Sequence, residues 1–191
     1  MSPHIVASEL GITLELEKVD LAEKKTQSGR DFLGINPKGY VPVLELDDGS
    51  VLTEGPAIVQ YLADQKPDAK LAPKNGSIER YRVQALLGYI NSELHKSYSP
   101  LFNSTTPAAT REERQKYLRK RYAYLESELQ GKPFLTGQDF SVVDAYLFTV
   151  TNWAKLVKLD LSAYPNLMAF QERVAGRPAV KAVLAAEGFS K

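Results

Sequence analysis

Several stretches of this 191-residue chain carry residue types that bind or react. Val41-Pro42 sets a residue without an N–H at the start of the apolar run Val43, Leu44 and Leu46. A proline there suits a sheet edge, a strand start or a cis peptide in a tight turn. Glu54-Gly55-Pro56 sets an acid just ahead of a proline suited to a helix's first turn. Negative charge is stabilised at that place, and the unpaired N–H groups of the turn suit the carboxylate of a ligand. Lys24 by itself reads as a surface lysine. His95, beside Lys96, reads as a half-exposed polar residue at a domain junction, and His4 as structural. With two histidines and no cysteine the chain offers no convincing zinc site, no disulfide and no thiolate ligand. Tyr98, Phe102, Trp153 and Val157 read first as core and second as the lining of an apolar pocket.

The elements that must hold these residues follow from spacing and caps. Residues 1–10 form a predicted helix with Ser2 as N-cap, Pro3 in the first turn and Gly11 closing it in the left-handed conformation. Residues 13–19 alternate, with Leu14 and Leu16 on one face and Glu15 and Glu17 on the other, which predicts a strand. A polar stretch over 20–30 leads to a short apolar turn at Phe32, Leu33 and Ile35. The turn at residues 36–39 then opens a hairpin, residues 41–46 and 50–53 joined at Asp47-Asp48-Gly49. An Asp-Gly pair between apolar runs is a strong hairpin signal. A helix follows from Pro56 to about Lys66.

The polar, Pro- and Gly-containing residues 67–76 read as a linker, and the remainder is helical. Ser77 caps a helix to about Tyr98, with Leu86, Leu87, Ile90 and Leu94 at helical spacing. Thr110 and Glu113 form a predicted capping box for a helix that ends at Gly131. Ser141 and Asp144 form another ahead of an apolar helix over 145–157. Pro165 and Pro178 open the last two helices. The order is α-β-α-β-β-α followed by helices alone, in two domains, 1–66 and 77–191.

Composition excludes several functions. The 24 Lys+Arg against 23 Asp+Glu leave a formal charge of +1, so no field for nucleic acid or an anionic membrane exists. Hydrophobic residues make up 43%, enough for a proper core. No apolar run approaches the roughly 18 residues of a membrane span, and no basic start leads into a signal-peptide core. The lack of cysteine fits the cytoplasm.

The stretch 36–62 resembles the glutathione-binding half of the glutathione transferases, most closely their bacterial beta class. The Ser141-x-x-Asp144 box resembles the same family's folding motif. The resemblance covers nearly the whole chain. It implies a thioredoxin-like α/β domain followed by an all-α helical-bundle domain, and detoxifying attack of glutathione's thiolate on hydrophobic electrophiles. Glutathione is then a co-substrate, with no cofactor and no metal. It further implies that Val41, before a cis Pro42, offers its backbone to the cysteinyl part of glutathione. Glu54 receives the γ-glutamyl amino group, and Lys24 reaches the glycine carboxylate. The family's usual Ser after the acid is Gly55 here, so only its N–H serves the γ-glutamyl carboxylate. His95 faces the sulfur across the interdomain cleft, and Tyr98, Phe102, Trp153 and Val157 line the co-substrate pocket. A homodimer is implied as well, one subunit's α/β half against its twin's helical half.

In the family a strand precedes the segment equivalent to 13–19 and lies in mid-sheet, and the loop after it carries a Cys followed by Ser. The resemblance places Met1 just downstream of that loop. The expectation is therefore a thioredoxin-like domain with its first strand missing, read from a truncated sequence, with 13–19 and 41–46 facing a gap. Such a form is expected to be less stable than an extended one, since each unmade backbone hydrogen bond forgoes about 0.5–1.5 kcal/mol. The alternative, favoured by the missing cysteine, is a non-catalytic binding or scaffold protein of the same fold; Glu54, Val41-Pro42 and Lys24 speak against it.

Overall fold

A computed structural model describes residues 1–189. The first helix, α1 (Ser2–Glu9), ends as its sequence requires. Gly11 takes φ 61°, its N–H donates to Ser8 O at 3.1 Å, and that of Ile12 to Ala7 O at 2.8 Å. Those two bonds close the last carbonyls, and only glycine reaches that φ without cost. Ser2, in contrast, is not the cap. It lies inside α1 and is buried, and Met1 takes the capping position without a side-chain bond.

Two short antiparallel pairs follow. Strands β1 (Val19–Asp20) and β2 (Lys25–Thr26) pair as Val19 with Thr26 and Asp20 with Lys25. The four-residue helix α2 (Phe32–Ile35) is capped by Asp31, which accepts from Leu33 N–H at 3.0 Å. Strands β3 (Val43–Glu45) and β4 (Val51–Thr53) then form the hairpin around Gly49. The strand expected over 13–19 is a correction: only its last residue lies in a ladder. Alternation gives a segment two faces, but a strand needs a hydrogen-bonded neighbour. Among the described residues the two pairs are separate sheets, and residues 13–18 stand in neither ladder. Leu16 accordingly stays 54% exposed.

Helix α3 (Gly55–Gln65) follows the hairpin, then a single 3₁₀ turn (Pro67–Ala69). Ser77 caps α4 (Ile78–Tyr89) by accepting from Arg80 N–H at 3.2 Å. The single helix expected to Tyr98 is instead broken into three. A wide π-helical segment (Ile90–His95) separates α4 from α5 (Lys96–Phe102). Pro100 inside α5 removes the donor to the carbonyl four residues back. The Thr110–Glu113 box is a second correction. Ala108 and Ala109, the best helix formers, extend α6 (Ala108–Glu128) back to Pro107, so Thr110 lies inside it. Helices α7 (Val142–Leu156), α8 (Pro165–Ala175) and α9 (Pro178–Ala186) complete the chain.

The burial patterns say where each helix sits. On the polar α6, Leu118, Tyr122 and Leu125 make one apolar stripe at helical spacing. On α7 every residue from Val142 to Thr151 is buried, and a helix apolar on all sides belongs in the middle. It packs against α1, α3, α4 and α8, so the α/β half and the helical half share one core. Arg80, 3% exposed, ties them as well: its guanidinium holds both oxygens of Asp64 at 2.8 Å, Gln60 Oε1 at 3.1 Å and Pro73 O at 3.0 Å. Loss of Asp64 would leave the buried Arg80 cation without its carboxylate, which is destabilising.

Asp144, 0% exposed, fastens the start of α7. It accepts from Leu135 N–H at 2.9 Å and from the Ser141 N–H and hydroxyl at 2.8 Å each. Burial outweighs those three donors and pushes its carboxyl up to about 6 from 3.8. The folded state then holds this proton more tightly than the unfolded chain. The associated stability is fully present below about pH 4 and is lost as pH rises through 6, for a total of about 3 kcal/mol. Chemical unfolding of the wild type and of Asp144→Asn at several pH values checks this. The wild type is expected to lose stability relative to the variant between pH 4 and 7; a constant difference contradicts it.

Candidate functional site

The α/β half meets the helical half at the start of α3, and the residues singled out by the sequence gather there. The Val41–Pro42 peptide is cis, and Val41, 45% exposed, borders solvent at the entrance to β3. Glu54 is the N-cap of α3 with φ 70°. Its Oε1 accepts from Lys38 Nζ at 2.7 Å and from Tyr40 Oη at 3.1 Å. The Lys38 ammonium, then the Tyr40 hydroxyl, hold this carboxyl below the ordinary glutamate value against the opposing effect of burial. Lys38 Nζ also donates to Thr53 Oγ1 at 2.9 Å. Lys24, at φ 55°, turns its ammonium onto Gly39 O at 2.8 Å and braces the turn that leads to Val41.

Gly55 is buried for a reason of space. A Cβ there would stand 3.3 Å from Cε2 of Tyr146 and 3.7 Å from Cγ of Pro42. The bare backbone lets the ring of Tyr146, from α7, pack against the start of α3. Tyr146 in turn meets His95: Nδ1 of the imidazole lies 2.7 Å from its hydroxyl, which donates to Asn91 Oδ1 at 2.8 Å. Burial is the main force holding His95 below its ordinary pKa; Lys96 adds to it and Glu54 opposes it.

The aromatic residues continue from the imidazole. The Trp153 ring stands edge-on to His95 at 4.6 Å between centroids, to Phe102 at 5.7 Å and to Tyr98 at 5.8 Å. Phe102 is 48% exposed, whereas Tyr98 is fully buried with its hydroxyl 2.8 Å from that of Tyr122. Tyr98 therefore floors this row rather than walling it. Val157 lies one turn beyond Trp153, at the C-cap of α7.

Lys38, Tyr40, Asn91 and Tyr146 escaped the sequence reading. Tyr146 left one signal, a phenol in an otherwise apolar helix, which needs a hydrogen-bond partner when buried. Asn91 left another, four residues before His95 on the same helical run. The open hollow bounded by Asp64, Pro67, Lys70 and Asn75 lies at the other end of α3. Among the described residues no group of three or more His, Asp and Glu is placed to hold a metal ion, and no helix is long and apolar enough to cross a membrane.

The seam thus combines an exposed strand entrance, an acid at a helix N-terminus and a neutral imidazole beside an aromatic row. It suits a ligand with an ammonium group and a carboxylate at one end and a proton-bearing nucleophile at the other. The Lys38–Glu54 contact gives a direct check. In Lys38→Ala the carboxyl titration of Glu54, followed by carbon NMR, is expected to move up toward the ordinary glutamate value. An unmoved midpoint contradicts the pairing.

Comparison with known proteins agrees with this architecture. The glutathione S-transferase N-terminal domain model matches residues 2–65 and the glutathione S-transferase C-terminal domain model residues 85–178. The chain is 44% identical over 189 residues to glutathione S-transferase GstA of Escherichia coli O157:H7, covering 99% of this chain and 94% of that protein. It is similar to the bacterial beta-class glutathione S-transferase of Sphingomonas chungbukensis, with TM-score 0.95, 46% identity and coverage of 99% and 94%. A sphingomonad glutathione S-transferase solved in complex with glutathione gives TM-score 0.94, 44% identity and the same coverages. A thioredoxin-like α/β half with short sheets and a helical half behind it, matched at this identity over nearly its whole length, make this chain a member of the glutathione S-transferase family of enzymes.

Proposed function

We propose that the chain binds glutathione at this seam and transfers its thiolate to apolar electrophiles, in the manner of a detoxifying enzyme. The observation that carries this reading is Glu54 at the N-cap of α3, with the exposed Val41 before the cis Pro42, and joined to His95 through Gly55 and Tyr146. Glu54 takes the γ-glutamyl ammonium, whose arrival competes with Lys38 for Oε1. The Gly55 N–H, at the positive end of the helix, takes the γ-glutamyl carboxylate. Val41 pairs with the cysteinyl backbone next to the cis Pro42, and Lys24 serves the glycine carboxylate. The complex of the sphingomonad relative with glutathione supports this choice of ligand.

With both ends of the tripeptide held, the sulfur is positioned against the electrophile. The thiol must lose its proton, because the thiolate is the nucleophile. The thiolate then forms a C–S bond as the leaving group departs with its electron pair. His95 is the group at hand for the sulfur, and Trp153 with Phe102 offers the apolar surface for the electrophile. Tyr98 stands beneath them and Val157 at their edge.

The same reading assigns residues 1–66 to the glutathione-binding domain, 67–76 to the linker and 77–191 to the helical domain. It takes the protein as a cytoplasmic homodimer, a form favoured by the exposed Ile78, Tyr81 and Tyr124 of α4 and α6.

Titration calorimetry with glutathione tests the central assignment. Glu54→Ala is expected to weaken binding about tenfold, or 1.4 kcal/mol. Cysteinylglycine, which lacks the γ-glutamyl group, is expected to bind wild type and variant equally weakly. Unchanged glutathione affinity in Glu54→Ala would overturn the site.

A further inference from the structure

We propose that Tyr146 and Asn91 are positioning residues that hold the proton of His95 on Nδ1, which leaves Nε2 as the lone pair that receives the thiol proton. The inference rests on the glutathione reading of the seam and gives the direction of proton transfer within it.

Counting protons leads there. The Tyr146 hydroxyl has one proton and directs it to Asn91 Oδ1 at 2.8 Å. Its second short contact, 2.7 Å to His95 Nδ1, must then be one in which the phenol oxygen accepts. An imidazole that donates from Nδ1 and is neutral has no proton on Nε2. Neutrality is favoured on this chain: burial and Lys96 both disfavour the imidazolium, and Glu54 alone favours it. Those two charges, with the Tyr146 phenol on α7, are the titratable groups acting on this ring. The phenol keeps its proton, since burial raises its pKa well above the usual tyrosine range.

The frame around this chain of bonds is rigid. Tyr146 is 2% exposed, and its ring lies against Gly55. The imidazole is set edge-on against Trp153. Asn91 and His95 both lie in the wide turn between α4 and α5, which brings both side chains onto the one hydroxyl. Wide turns of this kind are frequent at functional sites.

In the step that follows, the S–H bond of glutathione breaks, its electron pair stays on sulfur and the proton goes to Nε2. The imidazolium keeps its Nδ1–H on Tyr146, and Tyr146 keeps its own proton on Asn91. The product is a thiolate beside an imidazolium whose Nε2–H now donates to it. After the C–S bond forms, Nε2 returns its proton to the leaving group or to water.

The tautomer is measured directly by nitrogen NMR of histidine-labelled protein at neutral pH. The chain has only two histidines, and the His95→Gln variant assigns the signals. Wild type is expected to show the Nδ1–H form for His95. Asn91→Ala frees the Tyr146 proton to turn toward Nδ1, so it is expected to switch His95 to the Nε2–H form. Tyr146→Phe is expected to lose the Nδ1–H preference and to lower kcat about tenfold, with the KM for glutathione unchanged. An Nε2–H form in the wild type overturns the proposal, as does a tautomer that neither variant alters. The spectra are recorded without glutathione. A failure of glutathione to bind therefore bears on the site assignment, and the tautomer still decides the proton's place.

Discussion

The site depends on a missing side chain. Gly55 presents bare backbone to Tyr146, and the aromatic ring closes onto it, with Pro42 on the same glycine. Through that contact the most buried helix of the helical half touches the N-terminus of α3 in the α/β half. Other relations at the seam extend from it. Tyr146 carries its hydroxyl to His95, His95 abuts Trp153, and Glu54 lies one residue from the glycine. Interiors pack to the density of crystals, so an added Cβ at that distance forces a neighbour to move. Gly55 is thus the place where two halves meet.

The rest of the fold keeps that seam from opening. Helix α7 is held at its start by Asp144 and along its length by burial on all sides. Helix α1 lies between α3, α7 and α9, and polar contacts clasp it to the C-terminal region. His4 Nδ1 lies 3.2 Å from Glu187 Oε1, and the Arg177 guanidinium takes both oxygens of Glu9 at 2.6 and 2.7 Å. Arg177 also lies over the Phe140 ring at 4.2 Å, which keeps this cation packed as well as paired. The two halves are one mechanical unit at this face, as a site assembled from both of them requires.

Much of this was legible in the residues. Pro56, Pro165 and Pro178 stand in the first turn of a helix, Gly11 ends one and Gly49 turns the hairpin. The Ser141–Asp144 box stands as read. These signals are local: a proline's fixed φ, a glycine's freedom and a short side chain reaching its own backbone act within a few residues. What escaped is tertiary. The alternation of Leu14, Glu15, Leu16 and Glu17 is real, yet among the described residues no neighbouring strand converts it into a ladder. Thr110 and Glu113 have the spacing of a box, but Ala108 and Ala109 had already begun the helix. The site divided in the same way. Glu54, Val41 and His95 could be singled out from the sequence, whereas their connection through Tyr146, at a sequence separation of 51 from His95, exists only in the packed chain.

The central claim is that one tripeptide spans the seam, its γ-glutamyl end on α3 and its sulfur at the imidazole. A crystal structure of this chain grown with glutathione tests it most directly. The account predicts the γ-glutamyl ammonium on Glu54 with Lys38 displaced from Oε1, the cysteinyl backbone along Val41, and the sulfur within hydrogen-bond distance of His95 Nε2. Glutathione bound elsewhere, with the Lys38–Glu54 pair intact and the imidazole remote from sulfur, would contradict it.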